Sequence, residues 1–203
     1  MKYIKIEEYE QLNYNDLRSA VDIISKGGIF IFPTDSVYSL GCLMSNKKGI
    51  NRVLKLTGKP EKKSNLSLFF SDMKSLASYT KNYNNSIFRS VKSLIPGPYT
   101  FIFKASKMVT KSFENSKKEV GVRIPNQDVL SMLIKELNEP IISTSLNTGS
   151  LEVFSNDPYE LSKLYENEVD LIIDNGPSIG GLTTVLDCTG NEIELIRQGI
   201  GEL

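Results

Sequence analysis

GGIFIFPTDSVYSLGC, residues 27–42, runs a buried strand into an abrupt polar stop. Four apolar residues, Ile29 to Phe32, meet Pro33-Thr34-Asp35-Ser36, and the chain then resumes with Val37, Tyr38 and Gly41. Short oxygen-bearing side chains commonly bond their own backbone in a turn. In an open sheet flanked by helices, however, strand ends are where ligands sit. The stretch therefore predicts a rigid strand that turns hydroxyls toward a ligand.

Upstream, KYIKIE alternates like a strand. NDLRSAVDIISKGG reads as a helix capped by Asn15, with Leu17, Ala20, Val21 and Ile24 on one stripe and Gly27 as its left-handed stop. Downstream, NKKGINRVLKLTGKP reads as a helix with Ile50, Val53 and Leu54 inward. LSLFF is a short strand, Asp72 caps the helix MKSLASY, and NNSIFRSVKSLI is a helix stopped by Pro96-Gly97-Pro98. TFIFKA and VGVRI are strands on either side of a Lys-rich connection. NQDVLSMLIKELN carries helical spacing at Val129, Leu130, Leu133 and Leu137. PIISTS is a strand, DPYELSKLY a capped helix, and VDLIID, TTVLDC and IELIRQ close the chain as strands. Interleaved strands and helices without a repeat or linker predict one α/β domain over residues 1–203, built on a twisted mixed sheet with flanking helices.

Composition narrows the chemistry. The 24 basic and 24 acidic residues leave a formal charge of zero, so no global field draws the chain to nucleic acid or membrane. No apolar run has the length of a membrane span, and MKYIKIEEYE has no signal-peptide core, so the cytoplasm is the expected location. Cys42 and Cys188 are too few and too far apart for a disulfide framework or zinc site. There is no histidine. Imidazole bases, Ser-His-Asp and Cys-His nucleophiles and histidine metal ligands are thereby excluded. What remains is chemistry done by positioning and charge neutralisation, the style of phosphoryl and nucleotidyl transfer.

Three strands share the polar ending. IFIF gives PTDS, PIIS gives TSLNTG, and PGPYT opens into FIF. Hydroxyls and backbone N–H groups gathered there suit phosphate and carboxylate oxygens.

PTDSVYSLGC, TGKP, PGPYTF, VGVRIP, STSLNTG, TTVLDC and LIRQG occur in an order that resembles the YrdC-like threonylcarbamoyl-AMP synthase family, over about residues 15 to 200. PGPYTFIFK, STSL, DPYEL, VDLIID and R-x-G-x-G are most similar to its YciO branch. The resemblance implies a twisted sheet around a large cavity that holds ATP, L-threonine and bicarbonate, with Mg²⁺ on the phosphates and no metal ligand from the protein. It implies a nucleotidyltransferase that forms L-threonylcarbamoyladenylate and releases pyrophosphate, for tRNA threonylcarbamoyladenosine modification. Carried over by position, Thr34, Tyr38, Ser143 and Ser145 would meet the amino acid. Lys59 and Arg123 would be catalytic, with Arg123 gripping a carboxylate by two hydrogen bonds. Lys55, Lys59, Thr100, Asn147, Thr183 and Arg197 would line the nucleotide. Cys42 reads as core packing, and Asp35 as turn or ligand in equal measure.

Five positions depart from the family pattern. Its K-x-R before a proline is here Thr57-Gly58-Lys59, which keeps one charge and loses the planar fork. Lys55 is a substitute cation upstream, turned about 200° away if the helix continues. LSLFF offers no histidine, Ser39 stands where glycine is usual, and Leu146 where alanine is usual. Two other readings stand beside the enzyme: a protein that binds double-stranded RNA or tRNA, drawing on Lys104, Lys107, Lys111, Lys117 and Lys118, and a catalytically weak nucleotide-binding homologue. Partner proteins of tRNA modification belong to the enzyme reading.

Overall fold

The computed structural model describes residues 1–6, 12–58, 66–81, 83–112, 118–146, 156–178 and 180–203. The first half of the chain forms β1 (Lys2–Lys5), α1 (Tyr14–Ser25), β2 (Phe30–Phe32), β3 (Ser39–Leu43), α2 (Lys47–Leu56), β4 (Ser67–Phe69), α3 (Met73–Leu76) and α4 (Asn85–Leu94). The second half forms β5 (Tyr99–Lys104), α5 (Lys107–Ser112), β6 (Glu119–Arg123), α6 (Asp128–Leu137), β7 (Ile141–Ser145), α7 (Pro158–Leu164), β8 (Leu171–Asp174), β9 (Thr184–Asp187) and β10 (Glu194–Arg197). The strands make one mixed sheet in the order β1-β8-β2-β3-β7-β4-β6-β5-β9-β10. Every expected strand and helix is present; β3, and α5 within the Lys-rich connection, are added. No helix among the described residues is long and apolar enough to cross a membrane.

Side chains alternate faces along a strand, and here the alternation separates two cores. Ile31, Leu40, Cys42, Leu68, Phe101, Phe103, Val122 and Ile142 point to one face, where α2, α3, α4 and α7 cover them. Phe30, Phe32, Leu43, Phe69, Ile141, Leu171 and Ile173 point to the other, against α1 and α6. The second core covers only part of its face. Beyond Phe69 and Ile141, the same face of β3, β7, β4, β6, β5 and β9 is left uncovered by those two helices, and it forms the floor of a cavity.

Local signals account for most boundaries. The α1 cap is Asn13, whose side-chain oxygen accepts from the Asp16 N–H at 3.0 Å, so the expected cap at Asn15 sits two residues too late. Asn15 lies inside the first turn. Gly27 takes φ +95° as the left-handed stop. Asp72 and Asp157 cap α3 and α7 as expected. Ile50, Val53 and Leu54 are buried on α2, and Val129, Leu130 and Leu133 on α6, while Leu137 is only partly covered.

Cys42 and Cys188 are free and buried. Burial pushes both thiols up to about 12 from 9.0. Any stability they contribute is intact below the unfolded value and declines as pH rises from about 9 toward 12. The folded protein is expected to give no thiol colour with a disulfide reagent at pH 8, and the denatured protein two equivalents; rapid labelling of the folded chain would contradict the packing. Asn13→Ala is expected to lower stability by about 1 kcal/mol, and Asn15→Ala to leave it nearly unchanged. Paired urea titrations decide between the two caps.

Candidate functional site

The strands that floor the cavity change character along their length. On β3 the cavity-side residues run Leu43, Gly41, Ser39, and on β7 they run Ile141, Ser143, Ser145. On β4 Phe69 gives way to Ser67, and on β6 Arg123 gives way to Gly121. The register aligns these changes. Leu43, Ile141, Phe69 and Arg123 form one row across the sheet; Gly41, Ser143, Ser67, Gly121 and Ile102 form the next. The first row closes the apolar core and the second opens the cavity, whose volume is about 660 Å³. That volume suits a small-molecule or cofactor site. Gly121 keeps the floor low: a Cβ there would stand 2.8 Å from Ser67 Oγ.

Arg123 lies where core and cavity meet, and it is 5% exposed. Its Nη2 donates to Asp35 Oδ1 at 2.6 Å and to Ser36 Oγ at 3.1 Å. Its guanidinium carbon sits 4.8 Å from the centre of the Phe69 ring. Burial lowers the Arg123 pKa from its ordinary value, and the charge and hydrogen bond of Asp35 oppose that shift. Asp35 Oδ2 accepts from the Asn126 N–H at 2.8 Å, so the carboxylate also ties the 33–38 turn to the chain after β6. Asp35 is thus a partner of the site's buried cation as well as a turn residue.

The hydroxyl order in the turn follows from donor logic. Arginine can only donate, so Ser36 Oγ accepts from it and donates to Thr34 Oγ1 at 3.0 Å. Thr34 then donates to the Val37 carbonyl at 2.8 Å and accepts from the Ser36 N–H at 3.1 Å. Thr34 is buried one hydroxyl behind the wall, and Ser36 holds the lining position expected for it. Tyr38 is also displaced from its expected place. It is fully buried in the opposite core, where its hydroxyl donates to the Gly176 carbonyl at 2.8 Å and accepts from the Asn175 N–H at 3.0 Å. The alternation that turns Ser39 into the cavity turns Tyr38 away. Burial raises the Tyr38 pKa and keeps the phenol protonated.

Ser143 and Ser145 line the cavity as expected. Ser143 Oγ donates to the Leu40 carbonyl at 2.9 Å. On the far side, Thr100 and Thr183 line the wall with their hydroxyls 2.7 Å apart, and Arg197 Nη2 donates to the Thr183 carbonyl at 2.8 Å. The structure therefore brings Thr100, Arg123, Ser143, Ser145, Thr183 and Arg197 around one space. Lys55 is exposed on α2 and does not line it. Lys59 and Asn147 lie outside the described residues, as does Lys117. Residue-by-residue reading did not name Ser36, Ser67 or Glu119 for the wall, and it named Ser39 only as a departure from the family pattern and Lys118 only for the nucleic-acid reading; all five line the cavity. Strand parity counted back from Phe69 on β4 finds Ser67, and counted back from Gly41 on β3 finds Ser39.

The Sua5/YciO/YrdC family model, described as telomere recombination, matches residues 22–199. The uncharacterized protein YciO of Escherichia coli is 35% identical over 188 residues, 92% of this chain and 90% of its own. Its crystal structure matches with a TM-score of 0.88 over 99% of this chain and 97% of that one. A threonylcarbamoyl-AMP synthase of Psychromonas ingrahamii is 28% identical over 177 residues, covering 85% of this chain and 91% of the synthase. The crystal structure of P. abyssi Sua5 complexed with L-threonine matches with a TM-score of 0.87 at 25% identity, over 98% of this chain and 58% of Sua5.

Asp35→Ala leaves the Arg123 cation buried without its partner and is expected to destabilise the fold by about 3–5 kcal/mol. Asp35→Ala combined with Arg123→Met removes both charges and is expected to recover much of that loss. Denaturant titrations of both variants test the pairing; a double variant no more stable than the single one would show that the ion pair is not what Asp35 contributes.

Proposed function

The chain belongs to the Sua5/YciO/YrdC family, and we propose that it is an ATP-dependent nucleotidyltransferase that converts L-threonine, bicarbonate and ATP to L-threonylcarbamoyladenylate and pyrophosphate. The observation that carries the reading is one cavity with a buried, oriented arginine on one side and a hydroxyl pair beside a second arginine on the other.

In the proposed reaction the threonine amine bonds to the carbon of bicarbonate, with loss of water, and becomes a carbamate. A carbamate oxygen then bonds to the α-phosphorus of ATP, and the bond to the bridging oxygen breaks to release pyrophosphate. Both reactants are anionic. Two unit charges about 4 Å apart repel by about 4 kcal/mol at an effective dielectric near 20, so the protein's first task is to offset that repulsion. In this reading Arg197 and Lys118 supply the positive charge, while Arg123, whose charge is balanced by Asp35, contributes directed hydrogen bonds. An ionised carbamate needs no general base, which agrees with a chain that has no histidine. Among the described residues no cluster of three or more His, Cys, Asp or Glu side chains forms a metal site. Glu119 is the one acidic side chain among the lining residues described. Mg²⁺ in this reading rides on the phosphate oxygens.

Arg123 does not offer the two-toothed grip expected of it. Its Nη2 is committed to Asp35 and Ser36, and Nε is the buried donor without a partner among the described residues. A substrate carboxylate is thus met by Nε–H, with neighbouring hydroxyls making up the remaining bonds.

Pyrophosphate release is expected only when threonine, bicarbonate, Mg²⁺ and ATP are all present. Arg123→Lys, which keeps charge but loses the fork, is expected to raise the threonine KM about 10-fold or more, the scale of a charged hydrogen bond. Thr183→Val is expected to act chiefly on ATP. No pyrophosphate above a protein-free blank, while ATP still binds, would remove the activity and leave a nucleotide-binding homologue.

A further inference from the structure

We infer that Ser39 is a ligand-contacting residue, its hydroxyl held for an acceptor oxygen on the small-acid part of the substrate. The inference rests on the threonine-adenylating reading for the ligand's identity; the contact itself is argued from the wall.

Ser39 is 1% exposed and lines the cavity, yet its Oγ has no hydrogen-bond partner among the described residues. A buried hydroxyl left unpaired destabilises a fold, so a native structure that keeps one requires a reason. The surrounding wall makes the exception specific. Ser36, Ser143, Thr100 and Thr183 all have partners of their own. Only three buried polar side-chain atoms are unpaired among the described residues, those of Ser39, Ser106 and Arg123 Nε, and two of these three belong to cavity-lining residues.

The chemistry of the missing partner follows from the donors. Arg123 Nε can only donate, and Ser39 can donate once its proton turns inward. A ligand that satisfies both presents acceptor oxygens, as a carboxylate or carbamate does. Ser39 pairs in register with Phe32 on one side and Ser145 on the other, so its hydroxyl has an apolar neighbour in one direction and the hydroxyl wall in the other. The strand order places β3 five steps from β9, or about 24 Å along the sheet at about 4.8 Å per step. Ser39 therefore lies on the side of the cavity bounded by Ser36, Ser143 and Ser145, and Arg123 reaches that side through its bond to Ser36 Oγ.

Ser39→Ala makes the two halves of the inference move in opposite directions. In melts of the full chain the variant is expected to gain about 2–4 °C without ligand, since it deletes a buried unpaired group. With L-threonine its apparent Kd is expected to weaken about 3- to 10-fold, the range of one hydrogen bond, with ATP affinity within about twofold. A variant that melts at or below the wild type would show that water or backbone already satisfies the hydroxyl, and would overturn the inference. So would a stabilised variant that binds threonine normally. The panel of probes includes the other standard amino acids and bicarbonate. If one of these, and not threonine, shifts the wild type but fails to shift Ser39→Ala, Ser39 stands and the threonine reading falls. If nothing in the panel shifts the wild type, the Ser39 contact falls as well.

Discussion

A pleated strand has two faces and no third, and the whole arrangement of this protein depends on how that constraint is met. One face of the sheet is apolar across the central strands and is covered by α2, α3, α4 and α7. The other is divided. Its β1-β8-β2 side and the near row of β3, β7 and β4 are apolar and packed on α1 and α6. One pleat further along these strands, the same face turns to Ser and Gly. Because register aligns that change across neighbouring strands, the boundary is a line across the sheet. Core and cavity are therefore two parts of a single surface, and the strand rows that stabilise one position the other.

Arg123 stands on that line, which explains its electrostatics. A cation at the edge of an apolar core is costly unless paired and hydrogen-bonded. Asp35 supplies the pairing from a turn 88 residues away, and Phe69 supplies a flat surface beneath the guanidinium. The pairing also fixes orientation. With Nη2 bound twice and the ring stacked, the guanidinium has little freedom left, so its remaining donors are pre-set. Pre-set donors are what transition-state stabilisation by charge requires, since they need no reorganisation during the reaction. The cost of holding the cation there is met by the turn, not by the ligand alone.

Much of this was legible in the chain and some was not, for physical reasons. The order of strands and helices followed from apolar period and caps, and the polar ending of IFIF lies at the wall of the cavity. The shift from Thr34 to Ser36 was not legible, because hydroxyls two apart in one turn have the same composition whichever of them faces outward. Donor logic settles it only once Arg123 is known to be near, and that contact spans 87 residues. Tyr38 was a different kind of miss. Its place was decidable from parity, since Ser39 and Tyr38 are adjacent on one strand entry and must face opposite ways. The cap at Asn13 was obscured by a second asparagine at 15 with equal propensity, and the choice depends on which backbone N–H is left open.

The two arginines of the cavity illustrate why a site without histidine still needs more than charge. Arg197 lies on an exposed edge strand and bonds a backbone carbonyl. Its field is screened within about 10 Å at ordinary salt, so it acts on what is already close. Arg123 is screened by almost nothing, but its net charge is cancelled by Asp35 at 2.6 Å. The pair therefore offers direction without long-range pull. In the proposed reaction, exposed cations such as Arg197 and Lys118 would draw an anionic ligand in, and Arg123, a donor whose charge is already balanced, would align it. Separating attraction from alignment would let such a cavity admit an anionic substrate without trapping it at its deepest point, because the buried end contributes hydrogen bonds rather than an uncompensated positive field.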